Sequence, residues 1–110
     1  MGTTASGVVT QATLKAIADR LRDRYGAERV FVYGSVAHGT PTKHSDIDLL
    51  VIAPTKERFY QRMGSVLAVV RDISLGLPLA PIVVTPEELS VRLARGDQFI
   101  QGIIETGMEL

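Results

Sequence analysis

The sequence predicts a small α/β (α+β) domain, a mixed three-stranded sheet flanked by helices. Three observations predict it. Two long stretches carry apolar residues at helical spacing, near 9–25 and 56–73. Short runs of β-formers fall at 29–33, 47–52 and 82–84. The last of these leads straight into a helix start. A length of 110 residues suits one compact domain, assigned to residues 9–110 behind a flexible N-terminal segment at 1–8.

From Val9 to Tyr25 the residues Leu14, Ile17, Ala18, Leu21 and Tyr25 share one helical face, with Lys15, Asp19, Arg22 and Asp23 on the other, and Gly26 ends the helix. Val30-Phe31-Val32-Tyr33 is an apolar strand that delivers its C-terminal end into Gly34. A short helix is expected from about Ser35, then a loop containing Gly39, Pro41 and Ser45. Leu49 to Ile52 is apolar without alternation, the pattern of a strand covered on both faces, and Pro54 closes it. Lys56 to Ile73 predicts a second long helix with Phe59, Tyr60, Met63, Leu67 and Val70 as its apolar face. Thr85-Pro86-Glu87-Glu88 supplies an N-cap, a first-turn proline and a glutamate three residues past the cap, so a helix should run to about Ala94. Asp97 is the cap of a further helix to Thr106, which Gly107 ends.

Twelve basic and twelve acidic residues balance, so no overall field attracts a nucleic-acid backbone. With no cysteine there are no disulfides and no thiolate chemistry, which fits a reducing, cytoplasmic setting. No signal-peptide pattern opens the chain, and the longest apolar runs are far below the ~20 residues that span a bilayer. Arg20, Arg22, Arg24 and Arg29 are interleaved with acids and expected to be solvated, as are Arg58, Arg62 and Arg71. Tyr33, Phe59, Tyr60 and Phe99 are expected in the core.

The chemistry concentrates in Gly34-Ser35 and Ser45-Asp46-Ile47-Asp48. Gly34 lacks a Cβ, so a triphosphate can approach the backbone, and Ser35 adds a hydroxyl and an N–H. Asp46 and Asp48 alternate at the start of a strand, so both carboxylates leave the same face. Two like charges held so close call for a divalent cation. If turn and carboxylates share a site, the first two strands must be antiparallel. The long helix between the second and third strands favours a parallel pair. His38 could touch the phosphates, whereas Lys43 and His44 are read as solvated loop residues.

Val32 to Gly39, through Ser45 to Val51, resembles the glycine-serine motif and paired aspartates of the polymerase beta superfamily of nucleotidyltransferases, nearest to its minimal, stand-alone (MNT-type) domains. Ile82 to Leu89 and Phe99 to Leu110 extend the likeness. The resemblance implies that Asp46 and Asp48 are catalytic and hold Mg²⁺ (or Mn²⁺) on ATP or another NTP. It further implies that Gly34, Ser35, His38 and Ser45 bind the nucleotide, and that AMP passes to a hydroxyl of a protein or small molecule. It also implies a second role, an antitoxin acting on a helical HEPN-type partner in a toxin–antitoxin pair. A partner or a second copy would then supply the substrate surface that a chain this short lacks. The chain departs from the family at two places. A third acid is usual at Ala80 or the adjacent Pro81, and a basic residue is frequent at Val36.

Overall fold

The computed structural model describes residues 10–37 and 46–110. Its elements run α1 (Gln11–Arg24), β1 (Arg29–Tyr33), β2 (Ile47–Ile52), α2 (Phe59–Ser74), β3 (Leu79–Val84), α3 (Pro86–Ala94), α4 (Gln98–Thr106) and β4 (Met108–Glu109). The sheet order is β3-β2-β1-β4. β1 lies antiparallel to β2 and β4, and β2 lies parallel to β3, as the sequence required for the first three strands. No described helix is long and apolar enough to cross a membrane.

The sheet separates two cores. On one side Leu14, Ile17, Ala18 and Leu21 of α1 and Val66 and Val70 of α2 pack on Val30, Val32, Leu49, Val51 and Val83. On the other, Ile100 and Ile103 of α4 pack on Phe31, Leu50, Ile52 and Val84. Both faces of β2 are therefore covered, which is why its sequence does not alternate. The caps form as read. Thr85 Oγ1 accepts from Glu88 N at 3.1 Å while Glu88 returns a bond to Thr85 N at 2.9 Å, and Asp97 Oδ1 accepts from Ile100 N at 3.1 Å.

Four expectations need correcting. The sheet has four strands, not three: Met108 and Glu109 pair with Val32 and Phe31, too short a strand for any periodicity to reveal. Gly107 makes this turn possible, because a Cβ there would lie 2.6 Å from the Ile103 carbonyl oxygen and 3.1 Å from that of Val32. Glu109 then accepts from Arg29 Nε and Nη2 at 3.0 and 2.9 Å, which anchors the added strand. β3 begins at Leu79 rather than Ile82, since its parallel register with β2 continues past Pro81. That proline is tolerated because β3 is an edge strand.

The other two corrections concern side chains. Phe59, Tyr60 and Met63 are exposed, not core, and so is Phe99. Helix α2 instead buries the i, i+4 row Arg62, Val66, Val70 and Ser74. Arg62 is therefore buried rather than solvated. Its guanidinium donates to the Glu57 carbonyl at 3.1 Å, the Val83 carbonyl at 3.2 Å and both Glu88 oxygens at 2.6 and 3.1 Å. A cation can occupy the inward row because every one of those bonds is made within the fold.

This clasp sets a testable acid sensitivity. The Arg62 hydrogen bond holds the Glu88 carboxyl below its ordinary value of 4.5. A lowered carboxylate contributes stability that is present in full above 4.5 and lost as pH falls through the folded value. Glu88→Gln keeps the shape but removes the negative charge and one acceptor from Arg62, so urea melts at neutral pH should show a loss of about 1 kcal/mol. As pH falls from 4.5 through the lower folded value the variant and parent should converge. A constant difference across that range would show that the carboxylate charge contributes nothing.

Candidate active site

Each element brings one piece to the same end of the sheet. β1 runs towards that end and stops at Tyr33, β2 starts there, and β3 starts beside it. The registers place Tyr33 opposite Asp48, and Asp48 beside Ala80. Cross-strand partners share a face, so Tyr33, Asp48 and Ala80 form a row on the side covered by α4. Ile47 and Leu49 point to the opposite core.

Gly34 closes on the middle of that row. Its φ is +75°, a left-handed conformation, and a Cβ built there would sit 2.5 Å from Asp48 Oδ2. The glycine thus does two things at once: it permits the turn and leaves room for the carboxylate. Ser35, Val36 and Ala37 continue as a turn, half-buried. Asp46 is exposed just ahead of β2, while Asp48 is half-buried.

The electrostatics follow from this placement. Burial pushes the Asp48 carboxyl up from its ordinary 3.8, and the negative charge of Asp46 pushes it further. The sign is opposite to that of Glu88. Stability falls as pH rises from 3.8 through the raised folded value, because the fold must then hold an ionised Asp48 next to Asp46. The Tyr33 hydroxyl is likewise raised, by burial first and by Asp48 second. A surplus of negative charge at the end of a sheet, with a glycine turn against it, is suited to a cation.

Asp46 and Asp48 offer hard oxygen donors, and among the described residues no group of three or more His, Asp or Glu is placed to hold a metal. That donor set suits a hard divalent cation such as Mg²⁺. This ion is commonly bound by one or two carboxylates together with substrate phosphates and water, not by a complete protein cage.

Of the residues singled out in the sequence, Gly34 lies against Asp48 and Asp46 is near enough to raise the Asp48 carboxyl, while His38, Ser45, Lys43 and His44 lie outside the described residues. The register separates the two positions at which the resemblance expects a third acid. Ala80 is in register with Asp48, whereas Pro81 pairs with Leu49, whose side faces the α1–α2 core. Two aromatic residues stand beside the site, Tyr33 packed against the α4-side core as expected and Phe99 outside it. Tyr33 is half-buried, and Phe99 stands 53 % exposed with its ring edge-on to Tyr33, centroids 5.7 Å apart at 84°. The position of Tyr33 next to Gly34 was the available signal; nothing in the local sequence marks Phe99. A separate shallow depression lined by Ala16, Asp19, Arg20, Asp23 and Ile73 opens between α1 and α2, away from the carboxylates. Its arginine is engaged with Asp72 at 2.6 Å, a tie between helices.

Comparison with known proteins agrees with this fold. The family model described as "Nucleotidyltransferase domain" matches residues 14–105. A Methanocaldococcus jannaschii protein named "Putative protein adenylyltransferase" is 33 % identical over 89 residues, covering 72 % of this chain and 57 % of the relative. The chain therefore spans little more than half the length of that relative.

Proposed function

The chain belongs to the nucleotidyltransferase domain family, and from that premise we propose that it binds ATP with Mg²⁺ and transfers AMP to a hydroxyl group of a protein. One observation carries the reading: the Asp48 carboxylate lies against the Gly34 turn, in the space that any other residue's Cβ would take. In this mechanism Gly34 and Ser35 receive the phosphate chain through open backbone and an N–H. Asp46 and Asp48 would hold the metal, which when bound would neutralise the triphosphate and polarise its phosphoryl oxygens. Half-burial of Asp48 strengthens its interaction with a cation by reducing the competing water. The M. jannaschii relative's name supports a protein acceptor; a small-molecule hydroxyl is the alternative.

Ala80 favours a second reading of the same site. With only two carboxylates the domain would bind nucleotide well and transfer slowly, serving as the nucleotide-dependent partner of another protein, such as an antitoxin against a HEPN-type toxin. Both readings need the same binding step. Titration with ATP should show strong dependence on Mg²⁺, because two unscreened aspartates otherwise repel the triphosphate. Asp48→Asn should remove most of that dependence, and Asp23→Asn, on the exposed side of α1, should not. Equal affinity in Mg²⁺ and in chelator would make the aspartates structural.

A further inference from the structure

Resting on the nucleotide-binding reading above, we propose that Phe99, braced by Tyr33, is the platform on which the base of the bound nucleotide stacks. Phe99 is a large apolar ring 53 % exposed on a helix that is otherwise well fixed. Its neighbour Ile100 is fully buried and Ile103 nearly so. The Asp97 cap on Ile100 N secures the same first turn of α4. The ring is thus held in place without being covered.

Its surroundings point to a ligand with a flat face. The 84° angle between the Phe99 and Tyr33 rings means that one presents its edge to the other. Whichever ring offers the edge, at least one face of Phe99 is clear of Tyr33. Tyr33 in turn is the register partner of Asp48 and the residue before Gly34. A nucleotide whose phosphates sit at Gly34 and Asp48 therefore has an aromatic surface one side chain away. The other exposed aromatic rings among the described residues lack this link: Phe59 and Tyr60 belong to α2, which packs on the opposite face of the sheet. No charged group is needed to read the base, so stacking should tolerate all bases and favour the larger purines.

The test separates base from phosphate. The full chain is titrated calorimetrically with Mg·ATP, Mg·UTP and magnesium inorganic triphosphate. Phe99→Ala should weaken Mg·ATP by about 5- to 150-fold, the range that one stacked base supplies, and narrow the ATP–UTP difference. Triphosphate affinity should stay within about two-fold, and Phe99→Trp should bind ATP at least as well as the parent. Unchanged unfolding midpoints for both variants confirm that an exposed side chain was altered. The platform is overturned if Phe99→Ala leaves ATP affinity intact, or lowers triphosphate affinity by the same factor. Parent protein that binds neither ATP nor triphosphate defeats the nucleotide reading itself. Parent that binds both, with no effect at Phe99, defeats the platform alone.

Discussion

Gly34→Ala is expected to cost more than any other single methyl group added at this end of the sheet, and to cost it twice. The first loss is conformational. Residue 34 has φ +75°, and a non-glycine residue there is strained by about 1–2 kcal/mol, so urea unfolding should show destabilisation of that size. The second is steric and falls on the site. The new Cβ would lie 2.5 Å from Asp48 Oδ2, with the rest of the carboxylate 3.5 Å away or more, so the Asp48 side chain must turn aside while the strand stays in register. Displacing a ligand by altering the group that seats it typically lowers metal affinity about 10- to 100-fold, and Mg²⁺-dependent ATP binding should fall accordingly. Far-UV circular dichroism should be unchanged, since the neighbouring strands pair through backbone. Gly26→Ala is the informative control. Gly26 has φ +79°, but no atom lies within 4 Å of its would-be Cβ, so it should show the conformational loss without the binding loss. Equal binding losses at the two positions would show that the contact between Gly34 and Asp48 is incidental.

That contact was partly legible beforehand, and the reasons are local. Alternation fixes which face a strand residue takes, so the face of Asp48 could be read from the pattern alone, whereas Asp46 lies just ahead of β2. The need for a shared site then forced β1 and β2 to be antiparallel, which the register Tyr33 to Asp48 bears out. Caps were equally readable, because Thr85, Glu88 and Asp97 act within a few residues of themselves. What stayed hidden depended on partners distant in sequence. Arg62 is inside only because Glu88, on a different helix, and the Val83 carbonyl receive it. Two adjacent rows of α2 contain apolar residues, and packing against α1 and the sheet, with Glu88 receiving Arg62, sets the row through Val66 and Val70 inward. Likewise β4 is two residues of strand held by its pairing with β1 and by Arg29, neither of which periodicity can detect.

Ala80→Asp should have the largest effect of all, and in the direction of gain. Ala80 is the parallel register partner of Asp48 and shares its face, so an aspartate there adds a third carboxylate beside the two proposed to hold the metal. A carboxylate so placed can take the proton from the acceptor hydroxyl, a contribution typically worth about 100- to 10,000-fold in rate. Transfer of AMP from ATP by the native chain is expected to be slow, and that of Ala80→Asp faster by a factor in this range, while ATP affinity changes little. Ala80→Asn, equal in size but unable to accept a proton, should remain at the native rate. The variant should be less stable than its parent in chelator, because a third negative charge joins Asp46 and Asp48 on a half-buried face, and Mg²⁺ should restore much of the loss. The acids already present are poorly placed for the task. Asp72 is held by Arg20 on the α1–α2 side, and Glu88 is clasped by Arg62 beyond the far end of β3. Fast transfer by the native chain that disappears in Asp72→Asn, Glu87→Gln or Glu88→Gln would assign the base to one of them after all, and remove any special meaning from the alanine beside Asp48.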